Sequence, residues 1–74
     1  MNVAIIGCGL IGRKRALSIP SNVNIHTVCD TDVNQGEKLA KEVNANFTSD
    51  YNSIIISDKI DVVIISTPNY LINE

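Results

Sequence analysis

Apolar residues fall in short blocks along the chain, and the blocks predict strands and helices in alternation. A continuous apolar run from Asn2 to Ile6 predicts a strand that is buried on both faces. After it, Gly12, Ala16 and Ile19 recur at the spacing of one helix face. The first part of the chain therefore predicts a strand followed by a helix from Leu10 to Ile19.

The next apolar block, Val23 to Cys29, predicts a second strand because apolar and polar residues alternate in it. Under strict alternation, Ile25 and Cys29 face one side of the sheet and Val28 faces the other. His26 lies in the middle of this strand with no catalytic partner in reach, so we expect no chemical role for it.

The second predicted helix has clear signals at both ends. Asp32 can cap its N-terminus, and Gln35 lies three residues later in the position of a capping box. Asn44 can end the helix in a left-handed conformation. Gly36 inside the helix costs about 1 kcal/mol relative to alanine. The predicted apolar face consists of Val33, Gly36, Leu39, Ala40 and Val43.

The last third of the chain leaves two alternatives open. Ala45 to Thr48 predicts a very short third strand. The three isoleucines of residues 54–56 favour a strand and a β-hairpin, whereas a short helix from Tyr51 to Ser57 keeps the alternation of strands and helices. We adopt the helix, and Asp61 to Thr67 is then the fourth strand.

A glycine motif joins the first strand to the first helix. Gly7, Gly9 and Gly12 have the spacing G-x-G-x-x-G, in which the first glycine makes a tight turn and the second lets a pyrophosphate approach the backbone. The third glycine allows close packing of helix on strand, and the helix N-terminus attracts phosphate. The alternative is a tight turn that binds nothing.

An acidic residue follows the second strand at a spacing typical of dinucleotide sites. Asp30 lies 23 residues after Gly7, close to the usual separation of about 20. Its carboxylate can accept hydrogen bonds from the adenosine ribose hydroxyls and would repel a 2′-phosphate. We therefore expect NAD rather than NADP, although Arg13 or Arg15 could still reach a phosphate. Asp30 could also be a simple turn residue.

The length and composition are those of one small domain, and they argue against nucleic acid and membranes as partners. The 74 residues are 45% hydrophobic and 19% charged, with a net charge of −2 and no large basic block, which argues against nucleic acid. The apolar run from Val62 to Ile65 is far too short to cross a membrane. Without an export signal we expect a cytoplasmic protein in which Cys8 and Cys29 are reduced, and the spacing of the cysteines predicts no metal site.

Three stretches together resemble the N-terminal part of the Gfo/Idh/MocA oxidoreductases, the family of glucose–fructose oxidoreductase and inositol dehydrogenase. They are GCGLIGRKRAL, VCDTD and IDVVIISTPN, and the resemblance runs from about residue 2 to residue 69. It implies a Rossmann-like α/β fold with a parallel sheet, the element order β-α-β-α-β-α-β and the strand order 3-2-1-4. It also implies hydride transfer between nicotinamide and a sugar, polyol or nucleotide-sugar.

The resemblance implies a cofactor site made of three groups of residues. Asp30 would take the adenosine ribose, and Thr67, Pro68 and Asn69 would lie near the nicotinamide. The strand order supports the second position, because ligands bind where strands one and four diverge; the alternative is a strand-ending turn. The pyrophosphate would be lined by Gly7, Gly9, Leu10, Ile11 and Gly12.

Part of the family pattern has no match in this sequence. Ile72 stands where the family usually has a histidine, and no Glu-Lys-Pro segment occurs among the 74 residues. We therefore expect residues 1–74 to be a partial NAD(P)-binding domain, a truncated half of a doubly wound fold without the substrate domain, which binds cofactor without catalysis. The alternative is a non-catalytic module that self-associates, or pairs with another chain, through the open edge of the strand from Asp61 to Thr67.

Overall fold

The structure is a computed structural model that describes residues 1–66. Strands and helices alternate through this part of the chain in the predicted order. The helix predicted after the third strand is confirmed, so the hairpin alternative is wrong. The elements are β1 (Asn2–Ile6), α1 (Leu10–Leu17), β2 (Asn24–Cys29), α2 (Val33–Val43), β3 (Asn46–Thr48), α3 (Tyr51–Ile55) and β4 (Val62–Ile65).

The four strands form one parallel sheet in the order β3-β2-β1-β4, which confirms the predicted Rossmann-like α/β fold. At its carboxyl end, Ile6 of β1 pairs with Cys29 of β2 on one side and with Ile65 of β4 on the other. The residues that follow these three strands are therefore brought to one edge of the sheet, where ligands of such sheets bind.

Helices cover both faces of the sheet because the chain reverses direction once. The first two crossovers move away from β1, and the third returns across the sheet to β4, so the right-handed rule puts α3 on the face opposite α1 and α2. The larger buried cluster comprises Val3, Ile5, Cys8, Ala16, Val28, Leu39 and Ala40. The smaller cluster comprises Ala4, Cys29 and Ile54.

The predicted strict alternation of β2 is wrong. Successive residues of β1 pair with Ile25 and then with Thr27, so His26 is left out of the register. Because this irregularity reverses the phase of the strand, Ile25 packs in the same cluster as Val28. Cys29 packs in the cluster on the other face.

The ends of the helices follow local signals closely. Helix α1 ends at Leu17, two residues earlier than predicted, although Ile19 still packs against the larger cluster. Helix α2 is capped as expected, because Asp32 accepts a hydrogen bond from the Gln35 N–H at 3.2 Å. It ends at Val43, and Asn44 caps it with the left-handed backbone angles φ 58° and ψ 48°.

Gly36 is explained by the packing of α2 on β3. A Cβ at this position would overlap Cε1 of Phe47 and lie 2.6 Å from Cδ1. The missing side chain therefore gives the aromatic ring its place beside the helix, which offsets the poor helix propensity of glycine.

None of the helices within residues 1–66 has the length and apolarity needed to span a bilayer.

Candidate functional site

The first and third glycines of the motif contact each other across the loop between β1 and α1. Gly7 has φ 97°, a region that side chains disfavour, and its N–H donates to the carbonyl of Cys29 at 2.8 Å. A Cβ at Gly12 would overlap the carbonyl oxygen of Gly7 and lie 2.8 Å from its carbon. The turn and the close approach of α1 to it therefore both require glycine.

The N-terminus of α1 differs from those of the other two helices. Asp32 and Asp50 cap α2 and α3 with their carboxylates, whereas Gly9 caps α1 without a side chain. The first N–H groups of a helix have no partner within it. Those of α1 thus have no capping side chain within the described chain.

The surface over Gly9 is open. A Cβ there would meet nothing nearer than the side-chain amide of Gln35, whose Nε2 lies at 3.9 Å. Leu10 and Ile11, which follow on the same turn, are 69% and 58% exposed. An external group can therefore approach the backbone at this end of α1.

Asp30 lies beside the glycine loop and hydrogen-bonds to it. One carboxylate oxygen, Oδ2, accepts from the N–H of Cys8 at 2.8 Å, and Oδ1 accepts from the N–H of Asp32 at 2.9 Å. Because the N–H of Asp32 is taken by Asp30, the capping box expected with Gln35 forms on one side only.

Gln35 was not predicted at this edge. Gln35 was interpreted only as part of a cap. Ser66 follows β4, donates its N–H to the carbonyl of Ile6 at 2.7 Å, and has its Cβ 3.7 Å from the Cβ position of Gly12. Its buried hydroxyl has no hydrogen-bond partner in the described structure. The predicted fourth strand includes Ser66, but its packing against Gly12 depends on the pairing of β4 with β1.

The two thiols are poor candidates for chemistry. Burial raises the pKa of the Cys8 thiol to about 12, and the negative charge of Asp30 adds to this effect. Burial likewise raises the pKa of Cys29. Since the thiolate is the reactive form, both cysteines act as small buried apolar residues. Within residues 1–66 no group of three or more histidine, cysteine or acidic residues could hold a metal ion.

Arg13, a candidate for contact with a cofactor phosphate, is paired with the protein itself. Its Nε donates to Oε1 of Glu42 at 2.9 Å, and its second nitrogen bonds to the other carboxylate oxygen. This hydrogen bond holds the pKa of Glu42 below its ordinary value. The pair joins α1 to α2 on the surface and leaves the glycine loop without a free arginine from position 13.

A depression lies on the surface of α2. It is shallow and mixed in charge, which is typical of a solvated helix face. Its lining consists of Asn34, Glu37, Lys38, Lys41 and Glu42. The predicted nicotinamide-side residues Thr67, Pro68 and Asn69 lie outside the described residues, as does Ile72.

The whole chain, residues 1–74, matches the sequence model of an oxidoreductase family described as having an NAD-binding Rossmann fold. The chain belongs to the Gfo/Idh/MocA oxidoreductase family. Its β1–α1 glycine loop and its 3-2-1-4 sheet are thus those of a Gfo/Idh/MocA NAD-binding domain.

Individual Gfo/Idh/MocA-type relatives agree with this assignment. The chain is 31% identical over 74 residues to a 2,7-anhydro-N-acetylneuraminate hydratase of Escherichia coli K12, covering 100% of this chain and 20% of the relative. A levoglucosan dehydrogenase structure with NADH and L-sorbose has a TM-score of 0.80 and 29% identity, covering 93% of this chain and 21% of that one.

The same fold occurs in a myo-inositol dehydrogenase of Corynebacterium glutamicum, with a TM-score of 0.86 and 22% identity over 95% of this chain and 22% of that one. The chain spans about a fifth of the length of each of these three relatives.

Proposed function

We propose that this chain binds NAD, in preference to NADP, as the cofactor-binding part of an oxidoreductase. The reaction is hydride transfer between nicotinamide and a sugar, polyol or nucleotide-sugar. The observation that carries the proposal is the N-terminus of α1, which is uncapped and open over Gly9. A helix terminus in this state favours phosphate, and the family to which the chain belongs has an NAD-binding fold.

The proposed site assigns a role to each predicted residue. Asp30 accepts hydrogen bonds from the adenosine ribose with the lone pairs that the backbone leaves free. Thr67, Pro68 and Asn69 lie beside the nicotinamide. The pyrophosphate is cradled by Gly7, Gly9, Leu10, Ile11 and Gly12.

The preference for NAD rests on charge. The carboxylate of Asp30 at the ribose position repels a 2′-phosphate. Arg13 is paired with Glu42, and this pair would have to open before Arg13 could bind a 2′-phosphate. The solved levoglucosan dehydrogenase, at 29% identity, carries NADH, which favours the same choice.

We assign no catalytic residue to residues 1–74. We propose that residues 1–74 contribute the cofactor site of the oxidoreductase and not its catalytic groups. Residues that choose and orient the substrate belong, on this proposal, to a separate domain.

Titration with NADH, followed by its fluorescence and by amide chemical shifts, tests the proposal. Shifts are expected at Gly9 and Ile11. The matched variant is Gly9→Ala: its Cβ meets no protein atom nearer than 3.9 Å, so the fold should persist while the methyl group obstructs the pyrophosphate. Glu37→Gln, on the outer face of α2, is the control that should bind normally. No response at millimolar NADH, or unchanged affinity in Gly9→Ala, would contradict the proposed site.

Self-association is a second candidate, favoured by one observation. Strand β4 is at the edge of the sheet within residues 1–66, and its Val62, Val63 and Ile65 side chains are 39%, 39% and 55% exposed. Open apolar edges pair with other strands. Sedimentation velocity should then show a concentration-dependent dimer that Ile65→Lys abolishes; a monomer at every concentration would exclude this candidate.

A further inference from the structure

Asp30 connects two segments that are far apart in sequence. Its carboxylate accepts the N–H of Cys8, in the middle of the glycine loop, and the N–H of Asp32, at the start of α2. The bond to Cys8 joins residues 22 positions apart. Both bonds join groups of the chain itself.

The glycine loop needs such an anchor. Gly7 and Gly9 flank Cys8, and glycine has the greatest conformational freedom to lose when a loop becomes ordered. The Cys8 residue is only 4% exposed, so its N–H would be poorly solvated without the carboxylate. A buried donor without a partner is unfavourable, and a bond to a charged acceptor is stronger than a neutral one.

The carboxylate retains capacity for a ligand. An ionised carboxylate offers about four acceptor positions, and the two backbone bonds use one on each oxygen. The same group can therefore hold the loop and accept from ribose hydroxyls.

We propose that Asp30 is a positioning residue of the phosphate loop: through Cys8 it holds the loop in its binding shape before cofactor arrives. This inference rests on the proposed dinucleotide site but goes beyond ribose recognition. It implies that Asp30 controls how well the pyrophosphate is held, whether or not the ribose carries a 2′-phosphate.

Asp30→Asn separates the two roles. Asparagine has the same size but only one side-chain oxygen, so one of the two backbone N–H groups would face an NH₂ donor. If Asp30 only selected the ribose, this variant would weaken the binding of NADH and relieve the repulsion of NADPH. The cofactor-free loop would be unchanged. If Asp30 positions the loop, the affinities for both cofactors fall and the conformation of the cofactor-free loop changes.

The first measurement is hydrogen exchange of the Cys8 amide in the full chain without cofactor. We expect exchange in Asp30→Asn to be faster by on the order of tenfold or more, the size expected from losing one bond to a charged acceptor. The control is Asp32→Asn, which alters the cap at the Gln35 N–H but does not touch Cys8. Asp30→Ala, which removes both oxygens, should speed exchange at Cys8 at least as much. Unchanged exchange at Cys8 in a folded Asp30→Ala variant would overturn the proposal.

A measurement on the unaltered chain covers the case in which the variant does not fold. The hydrogen bond should give a scalar coupling between the ¹⁵N of Cys8 and the carboxyl ¹³C of Asp30. Its detection without cofactor supports the proposal, and its absence overturns it.

Cofactor titrations complete the test. Affinities of Asp30→Asn for NADH and NADPH should both fall by about tenfold or more, whereas a rise in NADPH affinity would overturn the inference. If the unaltered chain binds no NADH, the proposed function fails. The exchange and coupling measurements would still decide whether Asp30 holds the loop.

Discussion

Replacing Gly36 with alanine sets two physical effects of opposite sign against each other. Gly36 is buried in α2, and helix propensity alone predicts that alanine would stabilise the chain by about 1 kcal/mol. The structure predicts the opposite, because the new methyl group would overlap the ring of Phe47 on β3.

The size of the net effect follows from the geometry. The Cβ would lie 2.6 Å from Cδ1 of Phe47, whereas carbon atoms pack best at about 3.5–4.0 Å. The ring or the helix must therefore move by roughly 1 Å or more. Overpacking of a core costs about 1–3 kcal/mol. We take the overpacking cost as about 2 kcal/mol and the gain in helix propensity as about 1 kcal/mol. The free energy of unfolding of Gly36→Ala should therefore be about 1 kcal/mol lower than that of the unaltered chain.

Urea unfolding followed by circular dichroism measures this loss. The second variant is Phe47→Val, which keeps a good strand former on β3 but removes the ring. In that background Gly36→Ala should stabilise the chain by about 1 kcal/mol, so the double-mutant cycle should give a coupling of about 2 kcal/mol. The same sign of effect in both backgrounds would refute the steric account.

Substitutions at four further positions test other features. Gly12→Ala should lower the Tm more than Gly36→Ala, because its Cβ would overlap the backbone of Gly7 and backbone cannot rotate aside as a side chain can; a Tm equal to that of the unaltered chain would contradict this. Asn44→Ala should lose about 1 kcal/mol in urea unfolding because of its left-handed φ of 58°, while Asn44→Gly should lose almost nothing. The pKa of Cys8 is raised to about 12, so its contribution to stability is complete below the unfolded thiol pKa of about 8.5 and is lost as pH rises from there towards 12. Urea midpoints measured against pH should decline less steeply in Cys8→Ala, and an identical decline would contradict the raised pKa. Glu42→Gln should lower the Tm slightly at low salt and less at high salt, since its partner is an exposed arginine. Because the pKa of Glu42 is lowered in the folded chain, that stabilisation is present above the ordinary carboxyl pKa and is lost as pH falls through the folded value. A salt-independent difference in Tm would contradict this account.

Features set by neighbouring residues could be predicted from the sequence. The Asp32 cap and the left-handed Asn44 each depend on a few residues of local chain. The glycine spacing is also local, and the family resemblance that it helped to carry implied the strand order that the structure has.

Features set by contact between distant segments could not be predicted. The phase of β2 depends on how β1 pairs around His26, which no periodicity within β2 reveals. The need for Gly36 depends on the ring of Phe47 in the next strand. The hydrogen bond between Asp30 and Cys8 likewise requires β1 and β2 to be side by side. The spacing of Asp30 from the glycines predicted a ribose ligand and gave no indication of this bond.

The central place of β1 has a consequence for how the chain folds during synthesis. Of the four strands, β1 is made before the others, and its two neighbours are β2, which ends at Cys29, and β4, which ends at Ile65. At translation rates of about 5–20 residues per second, the 36 residues between those two ends (65 minus 29) take about 2–7 s to make. For those seconds one long edge of the strand at the centre of the sheet has no partner from its own chain. We therefore expect chaperone binding or misassembly in nascent chains that contain β2 but not yet β4. N-terminal fusions that delay the docking of β1 should prolong that interval.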